Sequence, residues 1–171
     1  MQITFIKGQR EDRIAIRRDD GSQAETRFPH KGPVPHDAVH LFVESGLGLG
    51  NGFWGLIAHG RHPEELAELA KAAGHASAKR AGVPDAAIVE LLQAERLVEV
   101  FEADLWSGSF GDEAALLELG QTACTYSYVP LPDIPEDSVA TIQMAIADFA
   151  HGWAAAPIGH VAEFSWPLTL D

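Results

Sequence analysis

The two ends of this chain repeat with a period of two and its middle repeats with a period near 3.6, and no other feature restricts the fold as strongly. In "QITFIK" (residues 2–7) and "DRIAIRR" (12–18), Ile and Phe recur at every second position, the pattern of strands buried on one face. A polar turn containing Gly8 joins them as a hairpin. The turn "DDGS" at 19–22 leads into "QAETRF", so a three-stranded antiparallel meander is expected over the first 29 residues. The tail "HVAEFSWPL" alternates again, with Ala162, Phe164 and Trp166 on one face and Val161, Glu163 and Ser165 on the other. A lone strand needs partners to be stable, so the tail is expected to pair with the meander and bring both ends into one sheet.

Between these ends the apolar spacing is helical. Residues 35–46 start at Pro35, where a missing N–H is tolerated, and place Val39, Phe42 and Val43 on one side. "FWGLIAHG" fits another turn or two, and "HPEELAELAKAAG" reads as a helix with Pro63 and two glutamates in its first turn and Gly74 as its stop. The longest helix begins near Pro84 and carries Leu91, Ala94, Val98, Phe101 and Leu105 at spacings of three and four. "DEAALLELGQTAC" follows. A capping arrangement of Asp133 and Glu136 precedes the last helix, whose Val139, Ile142, Ile146, Phe149 and Trp153 form one stripe. The expected fold is α+β: about five helices packed on one face of a small antiparallel sheet, in a single domain over residues 1–171, since no repeat or linker divides the chain.

Charge and composition limit the partners. The net charge of -13, from 25 acidic against 12 basic side chains, repels polyphosphate and anionic lipid, which argues against nucleic acid and membrane surfaces. The basic residues of "KGQREDRIAIRR" are interleaved with acids and read as a solvated hairpin. Cys124 is the single cysteine, so neither an internal disulfide nor a site of several thiolates is available. The first residues lack the basic and apolar regions of a signal peptide, and the apolar passage 41–59 is interrupted by Glu44, Asn51 and glycines; a soluble, cytoplasmic protein is the expectation.

One motif carries chemistry. In "PHDAVHLFVESG", His36 and His40 lie four apart, so on a helix their rings stand one above the other, about 6 Å apart, and both can reach one ion. "HDAVH" resembles the H-E-x-x-H helix of the zincin metallopeptidases, and that resemblance makes His36 and His40 zinc ligands and puts Asp37 in the place of the general base. Asp is a methylene shorter than Glu, so its carboxylate stands about 1.5 Å farther from the attacking water. A third ligand must come from elsewhere: His59, His62, His160, Glu95, Glu99 and Glu102 are the candidates. Glu44 is a poor one, lying two turns from His36, about 12 Å along the axis. A purely structural reading places His36, His40 and Glu44 at the rim of the buried face.

The remaining motifs point to packing. "GNGFWG" matches G-x-G-x-x-G without the βαβ context of a dinucleotide site and reads as a turn that folds Phe53 and Trp54 back onto the core. Glu95, Glu99, Glu102 and Trp106 read as a solvated face. "WSGSFG" lacks the strand-to-helix setting of a nucleophile elbow, and Cys124 reads as a buried, inert thiol. Leu41, on the otherwise polar side of the histidine helix, joins Leu47 and Leu49 in an expected exposed apolar patch that suggests a homodimer. "RFPHKGPVPHDAVHLFVESGLGL" and "LLQAERLVEVFEADLW" resemble stretches of an uncharacterised family of small bacterial proteins, which implies no activity. Two functions follow from the sequence. The first is binding of a small molecule or protein, or self-association, without assignable catalysis or cofactor; the second is a zinc protein built on His36 and His40, with or without hydrolase activity.

Overall fold

The computed structural model describes residues 1–30, 32–74, 84–108 and 111–170. Strands β1 (Gln2–Ile6), β2 (Glu11–Arg17), β3 (Gln23–Pro29) and β4 (Val161–Ser165) form one antiparallel sheet in the order β3-β2-β1-β4. The first strand is therefore central, paired on one side with its hairpin partner and on the other with the tail. Register puts Ile3 opposite both Ile16 and Phe164, and Phe5 opposite Ile14 and Ala162, so the alternation in the sequence becomes one apolar face. Asp12 lies on that same face, two residues before Ile14, and is only 5 % exposed.

Six α-helices occur among the described residues, with bounds α1 His36–Leu47, α2 Phe53–Ala58, α3 Pro63–Gly74, α4 Val89–Ser107, α5 Glu113–Tyr126 and α6 Ser138–Ala155. A short 3-10 turn, Ala86–Ile88, leads into α4. The count exceeds the expected five because "FWGLIA" closes a true helix. Two local expectations change. Asp137, at φ 59°, stands at the head of α6 in place of the Asp133 and Glu136 arrangement, and the "SGSFG" turn falls in part on residues 109 and 110, outside the described residues.

The core lies between the sheet and α1, α4 and α6. Phe5, Phe42, Phe149 and Phe164 meet there with ring centroids 5.6–6.3 Å apart. Lys7 at the end of β1 ties the sheet to α6 by donating to the carbonyls of Trp153 (2.6 Å) and Ala156 (2.8 Å), where the helix dipole favours a cation. Leu41, Leu47 and Leu49 are all buried, which overturns the exposed patch expected of them. The cause is geometric: α1 is packed on several sides, so the flank opposite Val39 and Val43 is as dry as the flank that carries them. Cys124 is buried as expected, and Trp106 is 56 % exposed.

Candidate metal centre

Pro35 caps α1, its extended backbone turning the chain so that His36 and His40 occupy the first two turns facing α4. The carbonyl of Pro35 accepts from the amides of Ala38 and Val39, and the indole N–H of Trp54 donates to the Asp37 carbonyl at 2.8 Å. The helix start is thus pinned from two sides. On α4, residues 95 and 102 are two turns apart on one face, and both carboxylates turn toward the imidazoles.

Each ring is held through Nδ1 by a carboxylate: His40 by Glu44 at 2.9 Å and His36 by Glu102 at 3.0 Å. A carboxylate can only accept, so both Nδ1 atoms carry the proton. The two Nε2 atoms then face one another at 3.2 Å. Two neutral rings so arranged would oppose lone pair to lone pair, and the contact is favourable only with a proton or another cation there. Glu95 completes the convergence, one oxygen 3.6 Å from Nε2 of His40 and the other 3.8 Å from Nε2 of His36. Among the described residues, His36, His40 and Glu95 form the group that can hold a metal ion.

Glu44 is the residue whose role the sequence concealed. It is not at a rim but 0 % exposed, and its carboxylate accepts from His40 and from the backbone amides of Phe53 (2.8 Å) and Trp54 (3.0 Å) at the head of α2. Burial alone raises its pKa, while the imidazole and the two amides work against that rise. The "GNGFWG" glycines serve this contact. A Cβ on Gly52 would stand 2.6 Å from the Glu44 carboxylate, and one on Gly55 would overlap the carbonyl of Gly50. A glycine turn at a helix start does receive an anion here, and the anion is the protein's own.

Charge in the cluster is finely divided. Burial pulls the His36 pKa down, but the hydrogen bond its ring makes to the Glu102 carboxylate and the nearby Glu95 carboxylate outweigh it and lift it to about 10. Burial likewise raises Glu95, yet His36 and His40 overcome it and hold the carboxyl at about 2. Asp37 is raised to about 6 by burial, with the two histidines opposing. Its Oδ2 and the Nε of Arg96 are the buried side-chain atoms without a hydrogen-bond partner among the described residues. Both residues line one cleft of about 790 Å³, which also reaches His36, Glu95 and Glu102. Buried polar groups are almost always paired, so two orphans on one cavity set this cleft apart from the rest of the described fold.

The other expected donors lie apart from this group. His59 and His62 are exposed around the end of α2, and His160 packs on Trp153 beside β4. Glu99 borders the cleft, paired with Arg96 at 2.9 Å. The expected solvated face of α4 is corrected: Glu95 and Glu102 are 17 % and 12 % exposed, because α1 packs against them. A second pair went unread in the sequence. Asp12 accepts from the Gly8 amide and contacts Nε2 of His30 at 2.8 Å, and both side chains line the cleft. The available signal was the position of Asp12 in phase with Ile14 and Ile16. No family model, curated protein or solved structure matches the chain.

Proposed function

We propose that the protein binds one divalent metal ion, zinc fitting best, through His36 Nε2, His40 Nε2 and Glu95, and that the site serves hydrolysis in the adjoining cleft. The observation that carries this reading is the 3.2 Å separation of two Nε2 atoms whose Nδ1 partners are both carboxylates. Two nitrogens on a tetrahedral zinc at about 2.0–2.1 Å stand about 3.3 Å apart. The Glu95 oxygens, at 3.6 and 3.8 Å, need a shift of a few tenths of an ångström, small for a side chain. Glu44 and Glu102 supply the outer carboxylates that fix the tautomer and raise the basicity of ligating imidazoles. Three protein ligands leave a position for water, as in catalytic rather than structural zinc sites.

Bound zinc acidifies such a water and polarises an electrophile. Asp37, which lines the same cleft and follows His36 in the chain, would be the carboxylate that takes the water's proton. Water would then be added across the bond that breaks, with Asp37 passing the proton it accepts on to the leaving group. Trp54, holding the Asp37 backbone, positions this residue.

The test is metal analysis of the full chain without a polyhistidine tag. After dialysis against zinc, one ion per chain in the native protein and none in His40→Ala supports the site; a native protein that takes up none overturns it. Cobalt in place of zinc adds a geometric readout, since a tetrahedral nitrogen and oxygen set gives intense visible bands and an octahedral one faint bands. Asp37→Asn is expected to retain the ion and lose turnover.

A further inference from the structure

The proposed metal site opens into a cleft whose walls are charged in one sense, and we infer that it selects ligands and substrates bearing a cationic group on an apolar body, and rejects phosphates and carboxylates. This inference rests on the metal reading above and adds the chemistry of what the site takes.

Six carboxylates line the loaded cleft, those of Asp12, Asp37, Glu68, Glu95, Glu99 and Glu102, against the two cations Lys7 and Arg96, since His36 as a metal ligand carries no charge of its own. Neither cation is offered to a ligand. Lys7 Nζ is bonded to three carbonyls at the end of α6, and Arg96 holds Glu99 while its Nε is buried. A divalent ion would offset only half of the excess, so the loaded cleft remains negative. Two buried atoms on the wall lack a partner, Oδ2 of Asp37, on a residue 6 % exposed, and Nε of Arg96; the first is the one a ligand's donor can satisfy, since the Arg96 guanidinium is already neutralised by Glu99 at 2.9 Å.

The rest of the lining suits the body of such a ligand. Phe28, Phe53 and the exposed indole of Trp106 supply apolar faces, and an aromatic face attracts a cation through its quadrupole. Gly32 keeps the proline-rich edge of the cleft close to Trp106, since a Cβ there would stand 3.2 Å from the indole ring. A volume of about 790 Å³ admits a molecule of drug-like size. The chain's net charge of -13 extends the same preference to long range.

The experiment uses the full chain loaded with zinc, its metal content measured first, and three benzohydroxamates of equal size that differ only at the para position: aminomethyl, methyl or carboxylate. Hydroxamate chelates zinc in all three, so the differences report the walls. By calorimetry in about 0.05 M salt, the cationic compound is expected to bind at least about tenfold tighter than the anionic one, with the neutral one between and the spread narrowing in about 0.5 M salt. Glu99→Gln, away from the ligands, is expected to shrink that ratio about threefold with zinc content unchanged. Equal affinities, an anion that binds best, or no binding by any of the three to the zinc-loaded protein overturns the inference and leaves the metal site standing. A protein that holds no zinc removes both, and the metal measurement distinguishes that result before any hydroxamate is added.

Discussion

His36 and His40 stand one helical turn apart and face the same point, yet they are held by different means. His40 is 1 % exposed and takes its carboxylate from its own helix, with Glu44 fixed in turn by the head of α2. His36 is 40 % exposed and takes its carboxylate from α4, more than sixty residues away, where Glu102 depends on packing between two helices. One ring is set by local structure sealed from water and the other by tertiary structure at the mouth of a cleft. A buried ion pair must be kept whole, because removing one partner strands the other, whereas a half-open pair can hand its partner to solvent.

The largest effect expected of this contrast is therefore on folding. His40→Ala leaves Glu44 buried without its imidazole, and urea denaturation is expected to show a loss of about 3 kcal/mol along with the loss of metal. A variant with an unchanged midpoint would mean that the two histidines do not differ as described. Next comes the ion itself, which would join α1 to α4. With free zinc at about a hundred times its dissociation constant, the loaded protein should unfold about 2.7 kcal/mol higher than after chelation. His36→Ala is expected to abolish metal binding equally but to cost about 1 kcal/mol of stability, since water can reach Glu102. Comparable losses in both alanine variants would erase the distinction between the two rings.

Smaller still is Glu102→Gln, which keeps both ligands but removes the acceptor that orients His36. Metal affinity is expected to fall about 10- to 100-fold, with folding barely changed. Last, Cys124 serves as a sentinel of the core on the far side of α4. Burial raises its thiol to about 11, so at about pH 8 it is protonated, and the native protein should resist alkylation by iodoacetamide. If the His36→Ala protein reacts as fast as unfolded chain, its fold has been lost and its metal loss says nothing about ligation.

The strands were legible because the alternation of Ile and Phe is a local code, and the partner of the tail followed from the instability of an unpaired strand. The spacing of His36 and His40 was legible for the same reason. What spacing cannot reveal is which of several carboxylates folds in from afar, and Glu95 was one name among six. Glu44 was misread because a helical wheel treats polarity as exposure. Its burial depends on the amides of residues 53 and 54, which become available only after the glycine turn reverses the chain. Leu41 was misread by the same logic, since a wheel assigns one dry side and this helix has more than one. Asp12 was hidden by its charge, although its phase with Ile14 was in plain view.

The central place of β1 has a consequence for synthesis. Its two neighbours are β2, which leaves the ribosome moments later, and β4, which begins at residue 161. A nascent chain thus carries an open, hydrogen-bonding border beside Ile3 and Phe5 until residues 161–165 have been made, and this side of the sheet can be completed only when β4 arrives. Truncation shortly before residue 161 should yield not a slightly smaller protein but one with a sticky flank, prone to capturing the same strand from another copy.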